Sequence, residues 1–387
     1  MGLFTRRNAR DGPDAPANAT AATITHEPKT RHGPTPATLS MSSKPTFGQW
    51  LKGTWVDLAT MLVMGMIGLG VYFAHPAASR SFPVYFQDGE IVYPQFAYPL
   101  RKEIVPIWAA ALIGFFVPLA GFLICQFRVR SFWDLNNAVI GVLYSLITAA
   151  VFQVFLKWLI GGLRPHFLAV CNPDIPVYTS AETGNGLNMI MYDRTICTGD
   201  RDEIDDSLES FPSGHSTAAF AGLVFLSLYL NAKLKLFANH HPAMWKLIAV
   251  WAPVLGATLI AGALTIDEFH NWYDCLAGAV IGTFMAFSAY RMVFAAIWDW
   301  RINHIPLNRA VPFVAGEAEL EGAVFTRRAG WGGAGSGHDV GHHGAGVGQG
   351  MGNGYENGVG ASNGASLGRK PVPTHNGHHH NGSDAIV

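Results

Sequence analysis

The chain has 387 residues, of which 49% are hydrophobic and only 14% are charged, and its formal net charge at pH 7 is −1. A near-neutral chain lacks the concentrated basic face that nucleic-acid binding requires, so we expect no nucleic-acid partner. The arginines close to the N-terminus are followed by no apolar run, which argues against a cleavable secretory signal there.

Apolar residues are concentrated in the middle of the chain. Residues 1–45 and 306–387 are polar and rich in small residues, and the second segment is dominated by Gly, His and Asn. Such segments bury too little apolar surface to offset the entropy lost on ordering. We predict two disordered cytosolic tails over these ranges and a six-span domain over 46–305.

Six apolar stretches are long enough to cross a bilayer core, which requires about 20 residues per helix. They cover residues of about 55–74, 106–126, 138–160, 216–232, 246–265 and 275–298. Six such stretches in one soluble chain would leave no polar faces to cover them. The sequence therefore predicts an all-α, six-helix integral membrane protein.

Lysine and arginine residues are concentrated before span one, between spans two and three, between spans four and five, and after span six. By the positive-inside rule, these four segments and both termini should be cytosolic. The long acidic loop after Arg164 should then lie in a lumen or outside the cell. Cys171 and Cys197 share that loop, where an oxidising compartment permits a disulfide, although two unpaired thiols are equally consistent with the sequence.

Lys157 and Arg164 lie at the end of span three, in the pattern Lys-x6-Arg-Pro. On a continuous helix they would share one face, two turns apart, and Gly161 and Gly162 could let both side chains turn toward one anion. The alternative is a pair of cations that snorkel from a span end to the membrane surface.

Pro212-Ser213-Gly214-His215 opens span four. Pro suits a first helical turn, Ser210 or Ser213 could cap the helix, and Gly214 would let an anion approach backbone N–H groups that lack intrahelical partners. His215 would then face that anion as a general acid. An ordinary helix cap with an incidental histidine is the alternative.

His270 and Asp274 are four residues apart at the start of span six. A carboxylate at this spacing can orient one ring nitrogen and leave the other free to attack, as in an activated nucleophile. A structural His–Asp pair at a helix end, beside Trp272 and Tyr273, is the alternative. All three clusters fall on the same predicted membrane face, and together they indicate chemistry on a phosphate.

The three clusters resemble the motifs of integral-membrane lipid phosphate phosphatases, the type-2 phosphatidic acid phosphatase family, which shares a core with acid phosphatases and vanadium haloperoxidases. The first two motifs are complete. The third is usually Ser-Arg-x5-His-x3-Asp, and here Ala263-Leu264 replaces Ser-Arg. Arg194 or Arg201 could substitute for that cation, whereas Asp267 and Glu268 would repel an anion unless they face away.

The resemblance implies a mechanism without metal or other cofactor. Lys157, Arg164, Ser213 and Gly214 would hold the phosphoryl group. His270, oriented by Asp274, would attack phosphorus, and His215 would protonate the leaving oxygen.

Segment 82–103 resembles a loop of the fungal diacylglycerol pyrophosphate and phosphatidate phosphatases. The substrates implied are phosphatidate, lysophosphatidate and diacylglycerol pyrophosphate, in a vacuolar, endoplasmic reticulum or plasma membrane. A lipid phosphotransferase, or a catalytically weakened lipid-binding scaffold in which Leu264 replaces the family arginine, are the rival interpretations.

Overall fold

The computed structural model describes residues 44–74, 80–86, 89–175 and 184–309. The predictions for the two tails lie almost entirely outside these ranges. Within them, six helices are long and apolar enough to cross a membrane, so the predicted six-span architecture is confirmed. Two short α-helices, three 3₁₀ helices of three residues each and one two-stranded antiparallel sheet complete the regular structure of this part of the chain.

The six long helices are α1 (Phe47–Tyr72), α2 (Ile107–Val129), α3 (Phe132–Ile160), α6 (Gly214–Leu234), α7 (Met244–Ile266) and α8 (Trp272–Val293). The short elements are β1 (Phe82–Pro83), α4 (Phe167–Cys171), β2 (Met191–Tyr192) and α5 (Arg201–Ser207). Helix α8 ends five residues before the predicted end of span six, at 293 rather than 298, and α1 begins eight residues before the predicted start, at 47 rather than 55.

Helix α6 is the central helix of the bundle. Of its 21 residues, 17 are buried, and α2, α3, α7 and α8 all pack against it. Small residues permit this close packing: a Cβ atom added at Gly278 of α8 would stand 2.5 Å from the Ser213 carbonyl oxygen. The contact between α6 and α8 sets the distance between the second and third sequence clusters.

The outer helices present apolar side chains on the surface of the bundle. Helix α1 buries only two of its 26 residues, Thr54 and Gly68. Leu62 and Phe127 are exposed, as are Trp251 and Leu259 on α7. Exposed apolar surface on this scale is unfavourable in water and is the surface that lipid chains cover. The chain is therefore an integral, multi-pass membrane protein.

Helix α3 begins six residues before the predicted start of span three. Ser131 caps it by accepting a hydrogen bond from the Asp134 backbone N–H, at 3.3 Å. Asp134 itself is buried and forms an ion pair with Lys233 of α6, and Tyr229 donates to it at 2.6 Å. Polar residues that are satisfied by partners inside the bundle thus extend the helix beyond the apolar run that the sequence shows.

A small loop layer lies at one end of the bundle and consists of β1, α4, β2 and α5 with their connections. Its own apolar cluster includes Phe82, Phe167 and Ile204. Cys171 and Cys197 form a disulfide within it, so of the two alternatives for these cysteines the paired one is correct. Backbone hydrogen bonds join this layer to the end of α3, including Arg164 N–H to the Ser207 carbonyl at 2.9 Å.

Candidate active site

A cavity of about 270 Å³ opens between α1, α2, α3 and α6 beneath the loop layer. Five of the predicted site residues line it: Lys157, Arg164, Gly214, His215 and His270. The side chains of Ser213 and Asp274 are fully buried behind the wall and are absent from the lining. Three sequence clusters that are far apart in the chain therefore meet around one enclosed space.

Lys157 reaches the cavity from the last turn of α3, and Arg164 reaches it from the segment that follows this helix. Helix α3 stops at Ile160, so Lys157 and Arg164 do not share the continuous helical face that their spacing suggested. Gly161 and Gly162 have φ values of +55° and +129°, which favour glycine because an L side chain there is strained. The turn that they make returns Arg164 toward Lys157.

Both cations are paired with carboxylates of the loop layer. Lys157 Nζ lies 3.1 Å from Glu209 Oε2, and Arg164 Nη2 lies 2.7 Å from Asp206 Oδ1. Arg164 also lies over the Phe269 ring, with 5.5 Å between the guanidinium carbon and the ring centroid, and its Nε atom is buried without a hydrogen-bond partner among the described residues. Both cations at the cavity are thus occupied by the protein's own acids.

The N-terminus of α6 opens on the cavity. Ser213 is the N-cap and accepts a long hydrogen bond from the Ser216 N–H, at 3.4 Å, so its hydroxyl serves the helix. Pro212 was predicted to lie in the first turn of the helix. It instead precedes the cap and lies outside the helix. Gly214, by contrast, lines the cavity, which leaves the backbone at the positive end of the helix dipole accessible to an anion.

His270 lies in the turn before α8, and its Nδ1 is 3.8 Å from Asp274 Oδ2. This distance is too long for a hydrogen bond. The same Asp274 oxygen accepts from Ser210 Oγ at 2.5 Å and from the Asn271 backbone N–H at 3.0 Å. Ser210 therefore holds Asp274 and does not cap α6. Burial lowers the pKa of His270, and the neighbouring Asp274 opposes that shift.

His215 is buried, and its ring centroid lies 6.0 Å from that of His270. Its Nε2 atom has no hydrogen-bond partner among the described residues, and Glu103 Oε1 lies 3.8 Å away. Glu103 lines the cavity, although it belongs to none of the three motifs, and sequence reasoning missed it. The one signal was its place in segment 82–103, directly before span two.

The proposed substitutes for the family arginine do not line the cavity. Arg194 pairs with Asp205 at 2.7 Å on the exposed side of the loop layer, and Arg201 is exposed at the start of α5. The Leu264 side chain, at the position where the family pattern has arginine, is fully buried and is not part of the cavity lining.

The two acids that were expected to repel an anion are engaged elsewhere. Asp267 accepts hydrogen bonds from the backbone N–H groups of Ile104 and Phe269, at 3.1 and 3.2 Å, and Glu268 pairs with Arg101 at 3.2 Å. Neither lines the cavity. Asp267 and Glu268 thus face away from the cavity, which is the condition under which they would not repel an anion there.

Residues 138–298, which contain all three clusters, match the PAP2 superfamily. The chain is 34% identical over 212 residues to lipid phosphate phosphatase 2 of Arabidopsis thaliana, covering 54% of this chain and 69% of the relative. It is 30% identical over 256 residues to a PA-phosphatase related-family protein of Dictyostelium discoideum, covering 66% of this chain and 72% of the relative.

A fungal relative is also similar. Diacylglycerol pyrophosphate phosphatase 1 of Saccharomyces cerevisiae is 28% identical over 258 residues, with 66% of this chain and 85% of the relative covered. No solved structure gives a significant match. The family match and the plant and amoebal relatives together establish the family: the chain belongs to the PAP2 superfamily of phosphatases.

Proposed function

We propose that this protein removes phosphate from membrane lipid phosphates without a metal, through a phosphohistidine intermediate. The observation that carries the proposal is the convergence of two cations, a helix N-terminus and two buried histidines on one cavity. The alternatives for the separate clusters, namely snorkelling cations, an incidental histidine and a structural ion pair, do not account for this convergence.

The phosphoryl group would be held by Lys157, Arg164 and the backbone at Gly214. A phosphate brings more charge than a carboxylate and offers three oxygens, so it would displace Glu209 and Asp206 from the two cations. Electrostatic stabilisation by preorganised donors is usually the largest part of catalysis at such a site. Ser213 contributes by capping α6 and by keeping that backbone in place.

In the first step, His270 Nε2 attacks phosphorus, because Nδ1 faces Asp274. The new N–P bond forms as the bond to the lipid oxygen breaks, and the bonding electrons leave with that oxygen. A proton from His215 neutralises the leaving alkoxide. The products of this step are the lipid alcohol, phosphorylated His270 and neutral His215.

In the second step, neutral His215 takes a proton from a water molecule whose oxygen attacks phosphorus. The N–P bond breaks, its electrons return to His270, and inorganic phosphate leaves. His215 is then protonated again, so the cycle closes without an external acid or base.

The wall of the cavity supports a lipid as the substrate. Ile107, Ala111, Ala150 and Val154, from α2 and α3, form an apolar side next to the histidines. A phosphate ester could enter the cavity while its acyl chains remain among the helices. Phosphatidate, lysophosphatidate and diacylglycerol pyrophosphate are the substrates proposed, and the names of the plant and fungal relatives support this choice.

The test is the release of inorganic phosphate from phosphatidate by the purified protein in detergent micelles with EDTA. We expect activity in the wild type and near-complete loss in His270→Ala and His215→Ala, with His241→Ala, an exposed histidine, as the matched control. Acid-labile label on the protein after brief incubation with ³²P-phosphatidate should disappear in His270→Ala. Absence of phosphate release from the wild type would refute the proposal.

The same assay separates the rival functions. Transfer of label to an added alcohol in preference to water would identify a phosphotransferase. Lipid binding without release or transfer would identify a scaffold.

We also propose that the cavity faces the non-cytosolic side of the membrane. The positive flanks of the spans support this orientation. In sealed vesicles, a tag at residue 387 and a tag near residue 200 should differ in protease access. Equal access would overturn the orientation.

A further inference from the structure

Glu103 and His215, which both line the cavity, form a second imidazole–carboxylate pair beside that of His270 with the buried Asp274. His215 Nε2 and Glu103 Oε1 are separated by 3.8 Å, the same distance that separates His270 Nδ1 from Asp274 Oδ2. Both imidazoles are buried, and each uses one ring nitrogen toward its carboxylate. One ring nitrogen of each histidine is therefore left for the reacting group.

The position of Glu103 is held by contacts on either side of it. The Ile104 backbone N–H donates to Asp267 Oδ2 at 3.1 Å, and Arg101 Nη1 donates to the Ile266 carbonyl oxygen at 3.3 Å. Arg101 also pairs with Glu268 at 3.2 Å. These contacts join the segment before α2 to the end of α7, close to His270 in the chain. They hold the backbone on both sides of Glu103 and so fix the position of its carboxylate at the cavity.

Burial raises the pKa of Glu103. Arg164, from the turn after α3, opposes this shift, while Asp206 of α5 and Asp267 at the end of α7 add to it. His215 of α6 faces the carboxylate directly, and Lys157 and His270 line the same cavity. A carboxyl group that is surrounded in this way is well suited to share a proton with the imidazole beside it.

We propose that Glu103 is a positioning residue for His215. Its carboxylate holds the Nε2 N–H of His215 and stabilises the imidazolium, so that Nδ1 can protonate the leaving oxygen. The inference rests on the proposed function and adds to it a residue outside the family motifs. It assigns to Glu103 the role toward His215 that Asp274 has toward His270.

The proton balance of the step is simple. The Nδ1–H bond of His215 breaks, its electron pair stays on the ring, and the proton goes to the lipid oxygen as the P–O bond breaks. The Nε2 proton remains between His215 and Glu103. The carboxylate loses its counter-charge in the first step and regains it when His215 takes the proton from water.

The experiment compares two leaving groups in wild type and Glu103→Gln, a change that keeps the size of the side chain and removes its charge. Phosphatidate releases an alkoxide that requires a proton, whereas p-nitrophenyl phosphate releases a phenolate that leaves without one. We expect kcat for phosphatidate to fall about 10- to 100-fold, within the range that general-acid catalysis contributes. For p-nitrophenyl phosphate we expect kcat to change by less than about threefold, because its leaving group needs little help from a general acid.

The pH profile is the second readout. The protonated form of His215 is the active one, so loss of its counter-charge should move the alkaline limb of kcat/KM for phosphatidate to lower pH. Glu103→Asp should recover part of the loss. Glu203→Gln, the same change at an exposed position of α5, should match the wild type in both readouts.

The outcomes are distinguishable. Equal losses of kcat on both substrates with an unmoved alkaline limb would mean that Glu103 acts only on structure, and would overturn the inference. Wild-type kinetics in Glu103→Gln would overturn it as well. An inactive wild type would instead refute the proposed function. In His215→Ala, adding Glu103→Gln should reduce the residual activity no further, and an additional loss would contradict the pairing.

Discussion

If Lys157 and Arg164 bind the phosphoryl group as proposed, the acids paired with them should compete with the substrate, and Asp206→Asn tests this directly. Asp206 Oδ1 lies 2.7 Å from Arg164 Nη2 and occupies that donor. The Arg164 side chain is only 6% exposed, whereas that of Asp206 is 52% exposed. A ligand that binds through Nη2 must therefore compete with this carboxylate.

The magnitude follows from the exposure of the pair. Ion pairs that are open to solvent on one side contribute up to about 1 kcal/mol, which corresponds to a factor of about five in a binding constant. We expect Asp206→Asn to lower KM for phosphatidate about two- to fivefold, with a smaller effect on kcat, because the competing carboxylate is lost while the catalytic groups remain.

The assay is the initial rate of phosphate release in mixed micelles, with the surface fraction of phosphatidate varied. The inhibition constant of inorganic phosphate should fall by the same factor as KM, because both ligands meet the same competitor. Asp205→Asn is the matched control, since Asp205 lies on the same short helix as Asp206 and pairs instead with Arg194, away from the cavity. A KM and an inhibition constant that stay unchanged or rise in Asp206→Asn would show that Asp206 positions Arg164 and does not compete with the phosphate.

Three further predictions concern the surroundings of the cavity. Because the Leu264 side chain is fully buried outside the cavity lining, Leu264→Arg should bury a charge at a cost on the order of several kcal/mol and lower the melting temperature more than Leu264→Met; a more active, equally stable Leu264→Arg would contradict this. The Cys171–Cys197 disulfide spans 26 residues, which corresponds to about 3.5 kcal/mol of chain entropy, so Cys171→Ser should be inactivated at a lower temperature than the wild type, and Cys275→Ser, at a buried free cysteine, is the comparison. Burial lowers the pKa of His270, so the neutral nucleophile should persist below the ordinary histidine value of about 6.5, and the acidic limb of kcat/KM should lie below that pH. Asp274→Asn should move this limb lower still, because the carboxylate opposes the shift, and a limb that moves upward would contradict the assignment.

The six spans could be predicted from the sequence because the bilayer imposes a length and an apolar composition on each helix separately. The same is true of the three clusters, whose residue types and order are local features of the chain. That they lie at one end of the bundle followed from counting spans. The sequence also placed Cys171 and Cys197 in one loop, although only the structure showed that they pair.

Helix ends were less predictable where polar residues are satisfied inside the bundle. Asp134 lies within α3, and the apolar run that marks span three begins after it. Its partners Lys233 and Tyr229 are on α6, and their approach depends on how α3 and α6 pack. A hydropathy pattern contains no information about such a pair.

The tertiary structure alone decided which groups surround the phosphate site. Glu103, Asp206 and Glu209 belong to no motif, yet each lies within 4 Å of a predicted site residue. Leu264 takes the place of the family's arginine, and the packing of α7 buries its side chain outside the cavity lining. Charges interact through distance and burial and not through sequence spacing, so the motifs could predict which residues form the site, while the packing of loops and helix ends determined its electrostatic setting.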